Sequence, residues 1–148
     1  MTASNHFLEA AAEEARRGAA EGGIPIGAVL VVDDQIIGRG HNRRVQRNSV
    51  VLHAEMDCFE NAGRLPAADY ARATLYSTLS PCDMCSGAVL LYGIRRIVIG
   101  ESRTFLGPED YLRSRGVELV VVDDAACVAR MRAFIARRPE LWNEDIGR

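Results

Sequence analysis

Residues 24–42, "IPIGAVLVVDDQIIGRGHN", decide the fold. Two runs rich in β-forming residues flank Asp33-Asp34, so the stretch reads as a hairpin whose second strand delivers His41 and Asn42 at its end. Upstream, "FLEAAAEEARRGAAEGG" (7–23) carries apolar residues at helical spacing and stops at Gly22-Gly23, which predicts a first helix. Downstream the pattern alternates. "VVLHAEMDCFENAG" (50–63) reads as a helix ending at Gly63, and "ATLYSTL" (73–79) as a short strand. "CDMCSGAVLLYG" (82–93) reads as a helix entered through Ser80-Pro81, since proline suits a helix's first turn. "RRIVIG" (95–100) and "VELVVVDD" (117–124) are strands, while "PEDYLRSRG" (108–116) and "AACVARMRAFIARR" (125–138) are helices. Pro66 and Pro108 mark loops, the stretch 64–72 among them. A hairpin followed by alternating helices and strands predicts an α/β fold of three layers, a mixed five-stranded sheet with helices on both faces.

The 148 residues fit one domain, 1–148, large enough to bury a core without disulfides. With 48% hydrophobic residues and a net charge of -2, the composition is that of a globular protein. No run is long enough to span a membrane, and "MTASNHFLEAAAEEARR" lacks the basic and apolar regions of a signal peptide, so a cytoplasmic location is expected. All eighteen basic residues are arginine, which excludes lysine Schiff-base chemistry and a Walker A lysine. A pI near 5.9 argues against a polynucleotide partner, which usually demands a basic face.

In a reducing compartment a C-x-x-C pair points to metal or redox chemistry rather than to a structural disulfide. Cys82 and Cys85, at i and i+3 in the first turn of a helix, present both sulfurs to one side, and the helix N-terminus favours the thiolate form that binds metal. A redox dithiol and a pair of reduced bystanders are the competing readings. Cys58 and Cys127, isolated among apolar neighbours, read as small buried hydrophobes. His53 supplies a third ligand, and Glu55, two residues on, sits close enough to address a water at the metal without ligating it. One imidazole and two thiolates leave a tetrahedral zinc with a free fourth position, as in catalytic rather than structural sites. A zinc-stabilised binding module would need a fourth protein ligand. It would also make Glu55 a helix-start acid facing the dipole.

His-x-Glu followed by Pro-Cys-x-x-Cys is the signature of zinc nucleobase deaminases. Beyond it, "GGIPIGA", "GRGHN", "TLSPCDMCSGA", "YGI", "YLRSRG", "VVVDD" and the closing "RPELWNEDIG" resemble the small cytosine deaminases of the fungal type, within the cytidine deaminase-like fold. The resemblance runs from about Glu21 to Gly147. It implies one Zn2+ per chain held by His53, Cys82 and Cys85, with Glu55 shuttling protons in the hydrolysis of cytosine to uracil and ammonia, a pyrimidine-salvage reaction. It further implies that the Asn42 amide and the Ala54 N–H meet the base, and that the Ser80 carbonyl and Asp145 meet its amine. Phe105 and Trp142 would form aromatic walls, Ile26 and Leu79 an apolar lining, and the Trp142-bearing tail a lid. One departure is Ala54, where the fungal group often carries glycine; alanine keeps the backbone N–H. The resemblance also implies a homodimer. Other free bases such as guanine or a related cyclic amidine, nucleosides, and the adenosine of transfer RNA stay open as substrates.

Overall fold

The structure is a computed structural model and describes residues 3–148; Met1 and Thr2, where the reading against a signal peptide begins, lie outside the described residues. The expected hairpin forms from β1 (Gly27–Val32) and β2 (Gln35–His41), antiparallel, with Val32 opposite Gln35. Asp33 and Asp34 take φ of 50° and 61°, the left-handed pair that a two-residue turn needs to match strand twist. Three further strands, β3 (Thr74–Ser77), β4 (Arg96–Ile99) and β5 (Glu118–Val121), complete a mixed sheet of order β2-β1-β3-β4-β5. β1 runs antiparallel to both its neighbours, while β3, β4 and β5 are mutually parallel.

Side chains alternate between two cores, as the two-residue period of a strand requires. Val29, Val31, Tyr76 and Val98 pack with Phe7, Leu8, Ala10 and Ala11 of α1 (Ala3–Ala20) on one face. Ala28, Leu30, Leu75, Ile97 and Ile99 face the larger core. There they meet α3 (Ala54–Ala62), α5 (Asp83–Tyr92) and α6 (Glu109–Ser114), with α7 (Ala125–Arg137) and α8 (Pro139–Asp145) contributing Met131, Phe134 and Trp142. Cys58 and Cys127 are both buried, as expected. Among the described residues no helix is long and apolar enough to cross a membrane.

Three local expectations need correction, and two helices form where the sequence pattern assigned no element. Residues 50–53 are not helical, because the Ser49 hydroxyl accepts the N–H groups of Val51 and Leu52 and His53 is extended (φ -62°, ψ 163°), so the helix begins at Ala54. The stretch 64–72 is not all loop: Pro66 leads into α4 (Ala67–Arg72), a turn and a half of alanine-rich helix. Pro81 lies outside α5, whose N-cap is Cys82, so the two cysteines occupy the cap and the third helical position. The Trp142-bearing tail, given no element by the sequence pattern, is helical, with Pro139 at the start of α8. A short turn of helix, α2 (Arg44–Arg47), also follows Asn42.

Close packing of β2 on α3 brings the hairpin's end to the start of α3. A Cβ at Gly40 would run into the backbone of Asp57 and Cys58. Neither can retreat, since the Asp57 carboxylate accepts from both the His41 N–H (3.1 Å) and Arg43 Nε (3.1 Å). Gly40→Ala is therefore expected to destabilise the fold by about 3 kcal/mol, the upper part of the overpacking range. Thermal denaturation should show a midpoint lower by roughly 6–12 °C; an unchanged midpoint would mean the strand and helix can separate without cost.

Candidate metal centre and pocket

The helices α3 and α5 start at the same end of the sheet, beyond the C-terminal ends of the parallel strands, where open α/β sheets place their ligands. His53 and Cys82 are the N-caps of the two helices. His53 Nδ1 lies 3.4 Å from Cys82 Sγ and 3.9 Å from Cys85 Sγ, and all three ligand atoms fall within 4.8 Å of one another. Zinc bonds of about 2.0 Å to nitrogen and 2.3 Å to sulfur at tetrahedral angles put such atoms about 3.6 Å apart, so the donor set and its spacing fit the ion. Cys58 is not part of this group; its thiol donates to the Gly38 carbonyl (3.4 Å).

Electrostatics prepare the three ligands differently. The Cys85 thiol donates to Cys82, and with His53 this pulls the Cys82 thiol down to about 4 against the effect of burial. Cys85 is pushed well up by that same hydrogen bond and by its burial. Burial opposes charge on His53, yet Cys82, Asp145 and Glu55 together raise it to about 9. Without metal the centre is thus a Cys82 thiolate beside an imidazolium. Burial pushes Cys58 far up and Cys127 up to about 12. After chelation, iodoacetamide at neutral pH is expected to modify Cys82 first and to leave Cys58 and Cys127 untouched, because only the thiolate is the nucleophile. Adding zinc should restore protection, and peptide mass mapping reads both results. Modification spread evenly over all four cysteines would contradict the arrangement.

Glu55, 4% exposed, stands beside the three ligands in the second position of α3. Burial lifts its carboxyl to about 7, with His53 holding it back. A narrow cavity opens over these groups, lined by Ile26, His53, Ala54, Glu55, Leu79, Ser80, Cys82, Phe105, Trp142, Asp145 and Ile146. Its outer mouth is wider and adds Arg44, Val50, Met84 and Leu106. Phe105 and Trp142 meet edge to face, with ring centroids 6.0 Å apart. Asp145 reaches in from α8: its Oδ1 accepts from Asn42 Nδ2 (2.9 Å) and lies 3.4 Å from His53 Nε2. Burial raises the Asp145 carboxyl, with His53, Asn42 and Arg44 opposing.

Of the residues singled out in the sequence, all but Asn42 line the inner cavity or belong to the ligand group. Asn42 is fully buried against Asp145, with its Oδ1 accepting from the Arg44 N–H (3.0 Å). Ile146 and Arg44 were not anticipated. Ile146 follows Trp142 by four residues, so recognising the tail as a helix would have placed both on one side.

A mixed sheet with a His-Cys-Cys centre at two helix starts and a buried carboxylate beside it defines a zinc-dependent hydrolytic deaminase. Residues 1–101 match the family described as "Cytidine and deoxycytidylate deaminase zinc-binding region", and the chain belongs to that family. It is 50% identical over 141 residues to a cytosine deaminase of Candida albicans, covering 95% of this chain and 94% of that one. A tRNA-specific adenosine deaminase of Bacillus subtilis is 41% identical over 101 residues, 68% of this chain and 63% of its own length. Among solved structures, a guanine deaminase of Nitrosomonas europaea superposes with a TM-score of 0.73 at 25% identity, covering 88% of this chain and 83% of that one.

Proposed function

We propose that the protein deaminates cytosine to uracil and ammonia, with His53, Cys82 and Cys85 holding one zinc ion. The 50% identity with the Candida albicans cytosine deaminase over 95% of the chain carries this reading. The cavity supports it, since its lining sets aromatic, apolar and hydrogen-bonding groups around the metal ligands, as a small ring substrate needs. When bound, the metal supplies Lewis acidity at the point where the three ligands converge. Glu55, with its carboxyl lifted to about 7, takes a proton from the attacking water and gives it to the ring nitrogen; it then takes the proton of the new C4 hydroxyl and gives it to the amine, which leaves as ammonia. The Ala54 N–H, at the first position of α3 where helical amides lack partners, donates to the base's carbonyl oxygen. Phe105 faces the ring. The Ser80 carbonyl and Asp145 accept from the amine. One N–H of the Asn42 amide holds Asp145, and its second N–H and remaining lone pair are left for the base's carbonyl oxygen and ring N–H.

Trp142 and Asp145 in the cavity lining support a free base rather than a polynucleotide as the substrate. Exposed apolar side chains, Val50 and Leu106 at the mouth and the 80%-exposed Leu91 near the far end of α5, support a homodimer through this side and α5. Four free thiols suit a reducing cytoplasm, where the reaction would serve pyrimidine salvage. The likeness to the guanine deaminase favours a purine base as the second reading. An ammonia-release panel of cytosine, 5-substituted cytosines, guanine, adenine, cytidine and transfer RNA decides between them. Cytosine is expected to exceed guanine, adenine, cytidine and transfer RNA by at least about 100-fold in kcat/KM, since a pocket built to hydrogen-bond one base leaves its polar groups unpaired with another. A faster reaction with guanine or transfer RNA would overturn the assignment.

A further inference from the structure

Two buried carboxylates beside the site take no part in the chemistry above. Glu101, fully buried, accepts from the N–H groups of Arg103 (2.7 Å) and Thr104 (2.9 Å) and from the Thr104 hydroxyl, which folds the loop after β4 around it. Glu109, 6% exposed, accepts at Oε2 from the Ser80 hydroxyl at 2.6 Å, while Arg113 stands 4.0 Å from its other oxygen. A hydroxyl-to-carboxylate bond this short is among the stronger hydrogen bonds a protein makes.

Ser80 is where the two halves of the pocket meet. Its N–H donates to the Glu101 carbonyl (3.0 Å), and its hydroxyl oxygen accepts from the Gly107 N–H (3.0 Å) while donating to Glu109. Gly107 in turn lies so close to Pro81 that any Cβ there would meet the Pro81 carbonyl. Amide and hydroxyl are therefore both spent on the segment 101–109 that carries Phe105. Among the described residues no donor meets the Ser80 carbonyl, and Ser80 lines the cavity. Without the Glu109 oxygen, the Ser80 hydroxyl would be a buried donor without an acceptor. It would rotate to find one, releasing Gly107 and with it the loop.

We propose that Glu109 is a positioning residue: acting through the Ser80 hydroxyl, it holds the Ser80 carbonyl and the Phe105 loop where the amine and the ring of the substrate meet them. This rests on the cytosine reading for its substrate but on the Ser80–Glu109–Gly107 contacts for its geometry, and the test separates the two. Trp142, the sole tryptophan, is 5% exposed and sits edge to face on Phe105, so its quenching by acrylamide reports the loop without any substrate.

The test uses Glu109→Ala, Glu109→Gln, Ser80→Ala and the Ser80→Ala/Glu109→Ala double variant. Each alanine variant is expected to lose about 30-fold in kcat/KM for cytosine, chiefly in kcat, as misplacement of reacting groups does. The double variant should be no more than about twofold worse than the poorer single one, because Glu109 acts only through the Ser80 hydroxyl. Glu109→Gln, which keeps an acceptor, should stay within about fivefold of the wild type. Zinc content should not change. The Trp142 quenching constant should rise about twofold in all three alanine variants and stay put in Glu109→Gln. Losses that multiply in the double variant, a glutamine variant as impaired as alanine, or unchanged quenching would each overturn the proposal. Should Glu109→Ala fail to fold, Ser80→Ala and Glu109→Gln carry the same comparison. A wild type inert toward cytosine would sink the substrate reading alone, and the quenching series would still decide the role of Glu109.

Discussion

Glu55→Gln is expected to lower kcat for ammonia release from cytosine by at least about 10³-fold, in line with the loss of a positioned general acid-base. Zinc should remain at about one ion per chain, because the three ligand atoms are His53 Nδ1 and the sulfurs of Cys82 and Cys85. Glutamine keeps the volume of a side chain that is 4% exposed, so packing changes little. What it cannot do is take a proton and return it. The buried carboxyl, lifted to about 7, is suited to both steps near neutrality, whereas an ordinary carboxylate would give its proton up too readily. KM should move far less than kcat. Ammonia release within tenfold of the wild type, with zinc bound, would show that the proton travels by another route. Equal loss of zinc and activity would instead move Glu55 into the role of a structural helix-start acid, the one a binding module would give it.

The sheet was legible because its signals are local. Asp33-Asp34 between two apolar runs made the hairpin readable, and the β3, β4 and β5 segments are short runs of β-branched or aromatic residues between turn formers. The metal ligands were legible for a similar reason, since three soft donors at helix starts are rare without a metal. What stayed hidden depends on contacts made across the chain. The start of α3 is set by the Ser49 hydroxyl, which holds residues 50–53 out of the helix despite their apolar character. Nothing in the neighbourhood of Asn42 announces that Asp145, 103 residues away, bonds to its amide. Glu109 is the same kind of case: in sequence it is an acid opening a short helix, and only the fold reveals the Ser80 hydroxyl against it.

Cys85→Ser should remove zinc and activity together, with metal affinity falling by at least about 10³-fold, because one of three protein ligands changes from a soft thiolate to a neutral hydroxyl. Cys58→Ala supplies the contrast. Both sulfurs are buried, so burial alone makes the two cysteines equivalent. Their partners differ: Cys85 Sγ faces His53 Nδ1 at 3.9 Å, while Cys58 Sγ faces the Gly38 carbonyl at 3.4 Å. Loss of Cys58 should cost about 1–2 kcal/mol through a small cavity and leave zinc and kcat near their wild-type values. Metal analysis of the purified variants together with thermal denaturation separates the two effects. Zinc retained in Cys85→Ser with normal turnover would refute the three-ligand centre. Zinc lost in Cys58→Ala would make Cys58 a fourth ligand, close the coordination sphere and remove the open position on which hydrolysis depends.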